Sequence, residues 1–213
     1  MFVTFEGVEG SGKSTQIRLL ADALKKAGYT VTVTREPGGT APGEALRKIA
    51  LDPHTGELDP MTELLIFSAA RRELISRVIA PALKEGHVVL LDRFADSTTA
   101  YQGYARGLNL AMIEQLNRTV TEGVWPERTI VLDVDVEEGL TRSVTRMAME
   151  GSTTEARFEG EGLDFHGRVR DGYLQIAKKD PQRVKIIKPG TVEDIRRAVF
   201  SSVADLFPQL TVD

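Results

Sequence analysis

The chain contains no cysteine, and this absence excludes disulfide bonds and thiolate metal sites. The absence fits a reducing compartment, and we expect a cytoplasmic protein. No apolar run approaches the roughly 20 residues that a membrane-spanning helix requires, so no membrane association is predicted. The N-terminus enters a β-prone segment at Phe2 without the basic and apolar regions of a signal peptide, and no signal peptide is expected.

The chain also has no excess of positive charge. It contains 27 Lys and Arg residues against 31 Asp and Glu residues, and its formal net charge is −4. No nucleic-acid partner is therefore expected. The three histidines, His54, His87 and His166, lie far apart and form neither a metal-binding pattern nor a base–nucleophile pair. Arginine, in contrast, is locally concentrated, which suits a small polyanionic ligand. These arginines are Arg71, Arg72, Arg93, Arg106, Arg142, Arg146, Arg157, Arg168 and Arg170.

The most informative segment is Gly7-Val8-Glu9-Gly10-Ser11-Gly12-Lys13-Ser14, followed by Thr15, which matches the phosphate-binding template G-x-x-x-x-G-K-[ST]. A β-prone stretch precedes this P-loop and an amphipathic helical pattern follows it. The glycines let backbone N–H groups approach phosphate oxygens, and the helix N-terminus adds a partial positive charge. Lys13 is suited to the β- and γ-phosphates and the Ser14 hydroxyl to Mg²⁺. The segment therefore predicts binding of a nucleoside triphosphate, with ATP and Mg²⁺ as the expected cofactors.

Strand and helix patterns alternate along the whole chain. The predicted strands cover residues 2–5, 30–34, 88–91, 129–133 and 184–187. This alternation predicts an α/β fold of the P-loop NTPase type, with three α/β/α layers and a five-stranded parallel sheet that carries helices on both faces. Neither a repeat nor a domain linker is evident, so residues 1–213 are expected to form a single P-loop kinase domain. The Gly-, Ser-, Thr- and Glu-rich stretch 150–162 predicts a mobile lid over about residues 143–162.

The helical predictions include one long segment and one ambiguous one. Residues 60–85 predict a helix that Pro81 kinks or divides, and residues 95–107 are expected to be irregular or short-helical. Glu36-Pro37 lies in a sharp turn and is a candidate for a cis peptide bond. The other predicted helices cover residues 43–51, 110–121, 136–149, 163–179 and 192–206.

The dipeptide Asp92-Arg93 follows an apolar run that predicts a buried strand beside the first strand. It is thereby placed at the carboxyl end of the sheet, where ligands bind in open α/β folds. Phosphoryl transfer needs cations around the clustered phosphate charge. Arg93 is predicted to bridge the donor and acceptor phosphates and Asp92 to support the Mg²⁺ ion, whereas a surface ion pair is the alternative.

Two further sets of residues suggest contacts with a nucleotide. Phe67 and Arg71 are four residues apart in a predicted helix and share a face, as a stacking ring and a base-reading arginine would. Core packing of Phe67 is the alternative that spacing alone favours. Arg157 lies in the glycine-rich stretch and Arg146 precedes it, so a closing lid could deliver an arginine to the phosphates and exclude water. The alternative is a solvated charged loop.

With these segments in view, the chain resembles the thymidylate kinases of the bacterial type from Phe2 to about Leu206. The resemblance rests on four segments: residues 5–14, Thr34-Arg35-Glu36-Pro37-Gly38-Gly39-Thr40, the helix with Phe67 and Arg71, and Asp92-Arg93-Phe94 running on to Ala100-Tyr101-Gln102-Gly103. It implies transfer of the γ-phosphoryl group of Mg·ATP to dTMP, with ADP and dTDP as products, and a homodimeric enzyme.

The resemblance also implies roles on the acceptor side. Phe67 would stack on thymine and Arg71 would read its O4 atom, while Thr98 and Gln102 would contact the base edge. Tyr101 would crowd the 2′ position of the sugar. The remaining expected acceptor contacts are Arg35, Glu36, Pro37, Arg93 and Ser97.

On the donor side, the resemblance implies that the lid supplies an arginine, with Arg157 as the matching residue and Arg146 as a second candidate. Glu9 occupies the P-loop position where the eukaryotic type carries an arginine, and it is counted among the catalytic residues. Arg142 is expected near adenine.

Two other functions stay open on the residues alone. A kinase for another monophosphate or for a deoxynucleoside would use the same fold, and Glu36 could act as general base at a 5′-hydroxyl. The many arginines favour an acceptor that is already anionic. A GTPase-type switch would need Asn-Lys-x-Asp and Asp-x-x-Gly motifs. The first is absent from the sequence, and Asp92 is followed by Arg93-Phe94-Ala95, which does not match the second.

Overall fold

A computed structural model describes residues 1–150 and 157–210 of the chain. The central part of the predicted lid, residues 151–156, lies outside the described residues. Among the described residues, no helix is both long enough and apolar enough to cross a membrane.

A single parallel sheet of five strands organises the chain, with the order β2-β3-β1-β4-β5. The strands are β1 (Phe2–Glu6), β2 (Val31–Arg35), β3 (Val88–Asp92), β4 (Arg128–Leu132) and β5 (Val184–Ile187). The predicted fold class is confirmed, and so is the placement of β3 beside β1. Phe5 pairs in register with Asp92, so the P-loop and the Asp92-Arg93 dipeptide leave the sheet side by side at its carboxyl edge.

Nine α-helical segments connect or extend the strands within the described residues. They are α1 (Lys13–Lys26), α2 (Ala41–Leu51), α3 (Pro60–Leu74), α4 (Ala80–Lys84), α5 (Ala95–Thr98), α6 (Leu110–Thr121), α7 (Val136–Glu150), α8 (Leu163–Lys179) and α9 (Val192–Val203). The bounds of α6 and α8 coincide with the prediction, whereas α9 ends three residues earlier than expected.

The long 60–85 segment is interrupted ahead of Pro81 rather than at it. A π-helical stretch, Ile75–Ile79, separates α3 from α4. Proline lacks an N–H and its ring crowds the carbonyl four residues earlier, so a locally widened helix accommodates it. The ambiguous 95–107 segment is likewise helical, because α5 continues into a second π-helical stretch, Thr99–Ala105.

Apolar side chains cover both faces of the sheet, as a three-layer fold requires. On one face, Phe5 of β1 packs with Leu20 of α1 and Phe200 of α9. On the other face, strand residues pack against α8 and against the helical stretch that contains Ile75 and Ile79. With both faces covered, the carboxyl edge of the strands is the place where polar side chains converge.

Candidate active site

The P-loop has the backbone that phosphate binding needs. Gly7, Gly10 and Gly12 have φ angles of 137°, 68° and 92° in the left-handed region. Gly10 has no room for a side chain, since a Cβ atom there would lie 1.9 Å from the carbonyl oxygen of Gly139. α1 begins at Lys13 directly after Gly12, so its first backbone N–H groups point into the loop. The loop is therefore a concave, positively polarised site for an anion.

Lys13 is a buried cation within this loop. Its Nζ donates to the carbonyl oxygens of Gly7 at 3.3 Å and Val8 at 3.1 Å and to Ser11 Oγ at 3.3 Å. Burial lowers the pKa of Lys13 to about 8, because the charged form loses hydration. A bound phosphate would restore a full negative partner to this ammonium group.

A cavity of about 580 Å³ joins the P-loop to the ends of β2, α3, β3 and the Thr99–Ala105 stretch. It brings together most of the residues predicted from sequence. Those that line it are Glu9, Gly10, Ser11, Gly12, Lys13, Ser14, Thr15, Arg35, Glu36, Pro37, Phe67, Arg71, Asp92, Arg93, Ser97, Thr98, Tyr101, Gln102 and Arg146. Gly7 and Val8 lie behind the loop, where Val8 is part of the core.

The residues predicted for Mg²⁺ lie next to each other. Ser14 Oγ donates to Asp92 Oδ2 at 3.4 Å, at the mouth of the P-loop. Within the described ranges, no group of three or more His, Asp or Glu side chains could hold a metal. A site with one hydroxyl and one carboxylate fits Mg²⁺, because this ion keeps several waters and takes its other ligands from substrate phosphates.

Arg93 connects the P-loop to the far wall of the cavity. Its φ of 69° is unusual for a residue with a side chain and marks a backbone conformation that the surrounding fold must stabilise. Its guanidinium donates to Glu9 Oε1 at 2.9 Å and to the Tyr173 hydroxyl at 3.2 Å, and lies 5.0 Å from the centroid of the Tyr101 ring. Arg93 is thus a hydrogen-bonded arginine between the P-loop and the far wall of the cavity, and its phosphate-bridging role stays a prediction.

Glu9 is held as a carboxylate by these neighbours. Tyr101 donates its hydroxyl to Glu9 Oε1 at 2.6 Å, beside the bond from Arg93. Burial by itself would raise the pKa of Glu9, but Arg93, His166, Lys13 and Tyr101 together outweigh that effect and hold the pKa far below its ordinary value.

A buried carboxylate that the sequence patterns did not single out lies under this group. Glu6, the last residue of β1, accepts from the backbone N–H of Phe94 at 2.7 Å, from Ser97 Oγ at 2.5 Å and from the Tyr173 hydroxyl at 2.9 Å. Burial raises its pKa to about 7. The only signal in the sequence is a charged residue at the end of an apolar strand that leads into the P-loop.

Arg71 forms the opposite wall and is almost fully buried. It donates through Nε to Glu36 Oε2 at 2.8 Å, through Nη1 to Asn117 Oδ1 at 3.0 Å, and through Nη2 to Phe94 O at 3.0 Å and Thr98 Oγ1 at 2.8 Å. Four of its five N–H donors are therefore used, and one Nη1 hydrogen has no acceptor among the described residues.

The turn that supplies Glu36 contains the cis peptide bond expected between Glu36 and Pro37. Burial raises the pKa of Glu36 to about 7, although the charge of Arg71 acts in the opposite direction. Phe67 lies one turn from Arg71 on α3. Its ring packs against the core and also lines the cavity, and the stacking of Phe67 on a base stays a prediction.

Gln102 is oriented by a second buried carboxylate that sequence reasoning missed. Its Nε2 donates to Glu63 Oε1 at 2.8 Å, and both side chains are buried. Glu63 also pairs with Arg106 at 3.2 Å. With the amide nitrogen bonded to Glu63, the carbonyl oxygen of Gln102 is the end left for a ligand. Glu63 lies on α3 four residues before Phe67, a spacing that gives this role no distinctive pattern.

The four remaining arginines differ in where they point. Arg146 lines the cavity, whereas Arg157 donates to Ala50 O at 3.3 Å and approaches Glu63 at 3.5 Å, outside the cavity wall. Arg35 lines the cavity with a half-exposed side chain that pairs with Glu44 at 3.0 Å. Arg142 pairs with Glu138 on the exposed face of α7. The lid, phosphate and adenine roles of these arginines stay predictions.

Several known proteins are similar to this chain over nearly its whole length. A family model for thymidylate kinase matches residues 5–199. Curated thymidylate kinases of Syntrophotalea carbinolica and Pelotomaculum thermopropionicum are 45% and 49% identical to this chain. The match covers 96% of this chain and 95% of the first relative, and 91% of this chain and 88% of the second.

A solved structure agrees with the sequence matches. The crystal structure of thymidylate kinase from Ehrlichia chaffeensis superposes with a TM-score of 0.75 at 38% identity, and covers 95% of this chain and 97% of that chain. Sequence, fold and site geometry thus lead to the same conclusion: the chain belongs to the thymidylate kinase family, whose members phosphorylate dTMP.

Proposed function

We propose that the chain transfers the γ-phosphoryl group of Mg·ATP to the 5′-phosphate of dTMP, and so supplies dTDP for dTTP synthesis. The observation that carries this proposal is the continuous cavity with the P-loop at one end, the Arg71 and Phe67 wall at the other, and Arg93 between them. Such a cavity accommodates two nucleotides whose phosphates meet at the arginine.

On the donor side, the P-loop amides and Lys13 bind the β- and γ-phosphates. Ser14 and Asp92, whose oxygens lie 3.4 Å apart, would hold Mg²⁺ at the mouth of the P-loop. The ion, when bound, neutralises the charge that develops between the phosphates. Lys13 leaves the loop carbonyls and follows the transferred group, since a phosphate oxygen is a stronger acceptor than those carbonyls.

On the acceptor side, the free hydrogen on Nη1 of Arg71 donates to O4 of thymine, and Phe67 stacks on the ring. The carbonyl oxygen of Gln102, oriented by Glu63 at 2.8 Å, accepts from N3–H. This pattern of one donor and one acceptor matches thymine and opposes cytosine, which presents an amino group and an unprotonated N3 at those positions. Thr98 orients Arg71, and Tyr101 limits the space at the 2′ position.

The acceptor needs no general base, because a monophosphate is already anionic. Glu36 Oε2 accepts from Arg71 at 2.8 Å, whereas Glu36 Oε1 has no hydrogen-bond partner among the described residues. Arg93 faces the meeting point of the phosphates and stabilises the charge of the transition state. A lid arginine, Arg157 after a swing away from Glu63 or Arg146 in place, completes the cation set when the lid closes.

Assembly and location are part of the same proposal. A single domain over residues 1–213 acts in the cytoplasm as a homodimer. Exposed apolar side chains on α2 and α3, Ile49 and Leu65, offer a face for a second copy. Light scattering on the purified protein measures the oligomeric state, and a monomer at micromolar concentration would contradict it.

The test is ADP release from Mg·ATP with dTMP, dUMP, dGMP, dCMP, UMP and thymidine offered separately. We expect turnover with dTMP well ahead of every other acceptor, and loss of that turnover in Lys13→Ala. Preference for another monophosphate would overturn the base contacts but keep the phosphate chemistry. Hydrolysis of ATP or GTP without dependence on an acceptor would instead support a nucleotide switch.

A further inference from the structure

His166 is the one histidine of the chain whose side chain has no exposure to solvent, and it lies between two acceptors. On one side, its Nε2 is 2.8 Å from the carbonyl oxygen of Phe158. On the other side, its Nδ1 is 3.2 Å from Glu9 Oε2, within ion-pair distance. Neither Nδ1 nor this carboxylate oxygen forms a hydrogen bond among the described residues, so the contact between them is a close ion pair.

The chemistry of the two neighbours decides the charge of the ring. A backbone carbonyl can only accept, and Glu9 is ionised, so it also only accepts. A neutral imidazole donates from one nitrogen and would turn the lone pair of the other nitrogen toward an acceptor. A doubly protonated ring donates in both directions and pairs with a buried negative charge.

We infer that His166 is a positioning residue for the transfer reaction, held as an imidazolium that ties the P-loop residue Glu9 to the lid-side segment at Phe158. The expected effect of His166 on dTMP binding rests on the proposed function. The expected charge of the imidazole ring does not, because it is argued from the contacts of the ring.

The charged surroundings of His166 favour the cation. Burial lowers the pKa of His166, but the carboxylate of Glu9 and, more weakly, Glu159 outweigh burial, and the net direction is upward. The other groups that bear on the pair are Arg93 and Tyr101 on Glu9 Oε1, Lys13 in the P-loop, and Arg170 one turn along α8, which pairs with Asp133.

Both residues that His166 lies between, Phe158 and Glu9, line the cavity. Phe158 lines the cavity, with its ring centroid 6.1 Å from that of Phe67 and 5.2 Å from that of Tyr101. Glu9 accepts from Arg93 and Tyr101 on its other oxygen. Loss of the proton from His166 would leave Glu9 Oε2 buried without a cationic partner and would release one of the two contacts. Binding of dTMP should therefore weaken as pH rises through the pKa of His166.

The direct test is the protonation state of the ring in the wild-type protein. With ¹⁵N-histidine labelling, the three histidines give three sets of ring signals, and His54→Gln and His87→Gln assign them. We expect both nitrogens of His166 to be protonated at pH 7. A neutral tautomer of His166 at pH 7 would overturn the inference, and this result does not depend on which reaction the enzyme catalyses.

The kinetic test compares His166→Gln with His87→Gln as the matched control. We expect KM for dTMP to rise about tenfold in His166→Gln, as for the loss of one buried contact with a charged group, with a smaller change for ATP. In the wild type, kcat/KM for dTMP should decrease at alkaline pH as His166 loses its proton. This decrease should be absent from the pH profile of His166→Gln, whereas any decrease caused by deprotonation of Lys13 should remain. An unchanged KM and pH profile in folded His166→Gln would contradict the positioning role.

A variant that fails to fold leaves the labelling experiment decisive, because that experiment uses the wild-type chain. Absence of dTMP turnover in the wild type would remove the proposed function and leave the ionised ring in place. The two failures are therefore distinguishable.

Discussion

Arg71→Ala removes a guanidinium that four buried acceptors share. Among them is Glu36, and the pair is shielded from water, with 3% and 5% of the two side chains exposed. Breaking a buried ion pair from one side typically costs about 3–5 kcal/mol, and an unpaired neutral acceptor about 1–3 kcal/mol. These costs do not add, because Thr98 can rotate its hydroxyl and water can enter the vacated space from the cavity. We expect the free energy of unfolding to fall by about 3–5 kcal/mol at pH 8.

The destabilisation by Arg71→Ala should also depend on pH, which provides a second test of the predicted loss of free energy of unfolding. The pKa of Glu36 is already raised to about 7 with Arg71 present, and removal of the arginine raises it further. At pH 6 the variant therefore holds Glu36 in its neutral form, and the penalty of an unpaired charge is lost. The destabilisation should be clearly smaller at pH 6 than at pH 8.

The assay is urea unfolding followed by circular dichroism, with the neighbouring variant Arg72→Ala as control. Arg72 is 40% exposed and pairs with Glu122 at 2.9 Å on the surface, so its loss should cost about 1 kcal/mol or less. Equal destabilisation by the two variants, or a destabilisation by Arg71→Ala that is not smaller at pH 6, would refute the reasoning.

In turnover assays Arg71→Ala should raise KM for dTMP more than for ATP, and an equal effect on both would argue against a base contact.

Three more outcomes are expected from the same site. Lys13→Ala should abolish transfer while the circular dichroism spectrum is retained, and wild-type turnover in that variant would remove the P-loop from the mechanism. Arg157→Ala should lower kcat by orders of magnitude with little change in either KM if it acts only after lid closure, whereas a similar loss in Arg146→Ala alone would assign that role to the arginine already at the cavity. Glu6 has a folded-state pKa of about 7 against an ordinary value of 4.5, so the folded state binds more protons between these pH values and stability should fall as pH rises from 4.5 to 7. Glu6→Gln should flatten that slope in urea titrations at several pH values, and an unchanged slope would show that Glu6 does not carry it.

Local patterns of residues were enough to predict several features of this protein. The P-loop could be read from residues 7–14 because its glycines and lysine act through the backbone of one short segment. The apolar run 88–91 placed Asp92-Arg93 at the carboxyl edge of the sheet, since a parallel strand that is buried on both faces is a continuous run of apolar residues. The five parallel strands were predicted from the alternation of strand and helix patterns along the chain.

Which polar side chains contact each other depends on the three-dimensional fold and could not be predicted from local patterns. Glu6 and Tyr173 are 167 positions apart and His166 lies opposite Glu9, yet each contact is short and buried. Glu63 orients Gln102 across 39 positions. Hydrophobic periodicity specifies that α3 and α8 pack on the sheet, but not which carboxylate or imidazole that packing encloses. Burial then fixes the pairing, because a buried charge must find a partner to avoid the cost of desolvation.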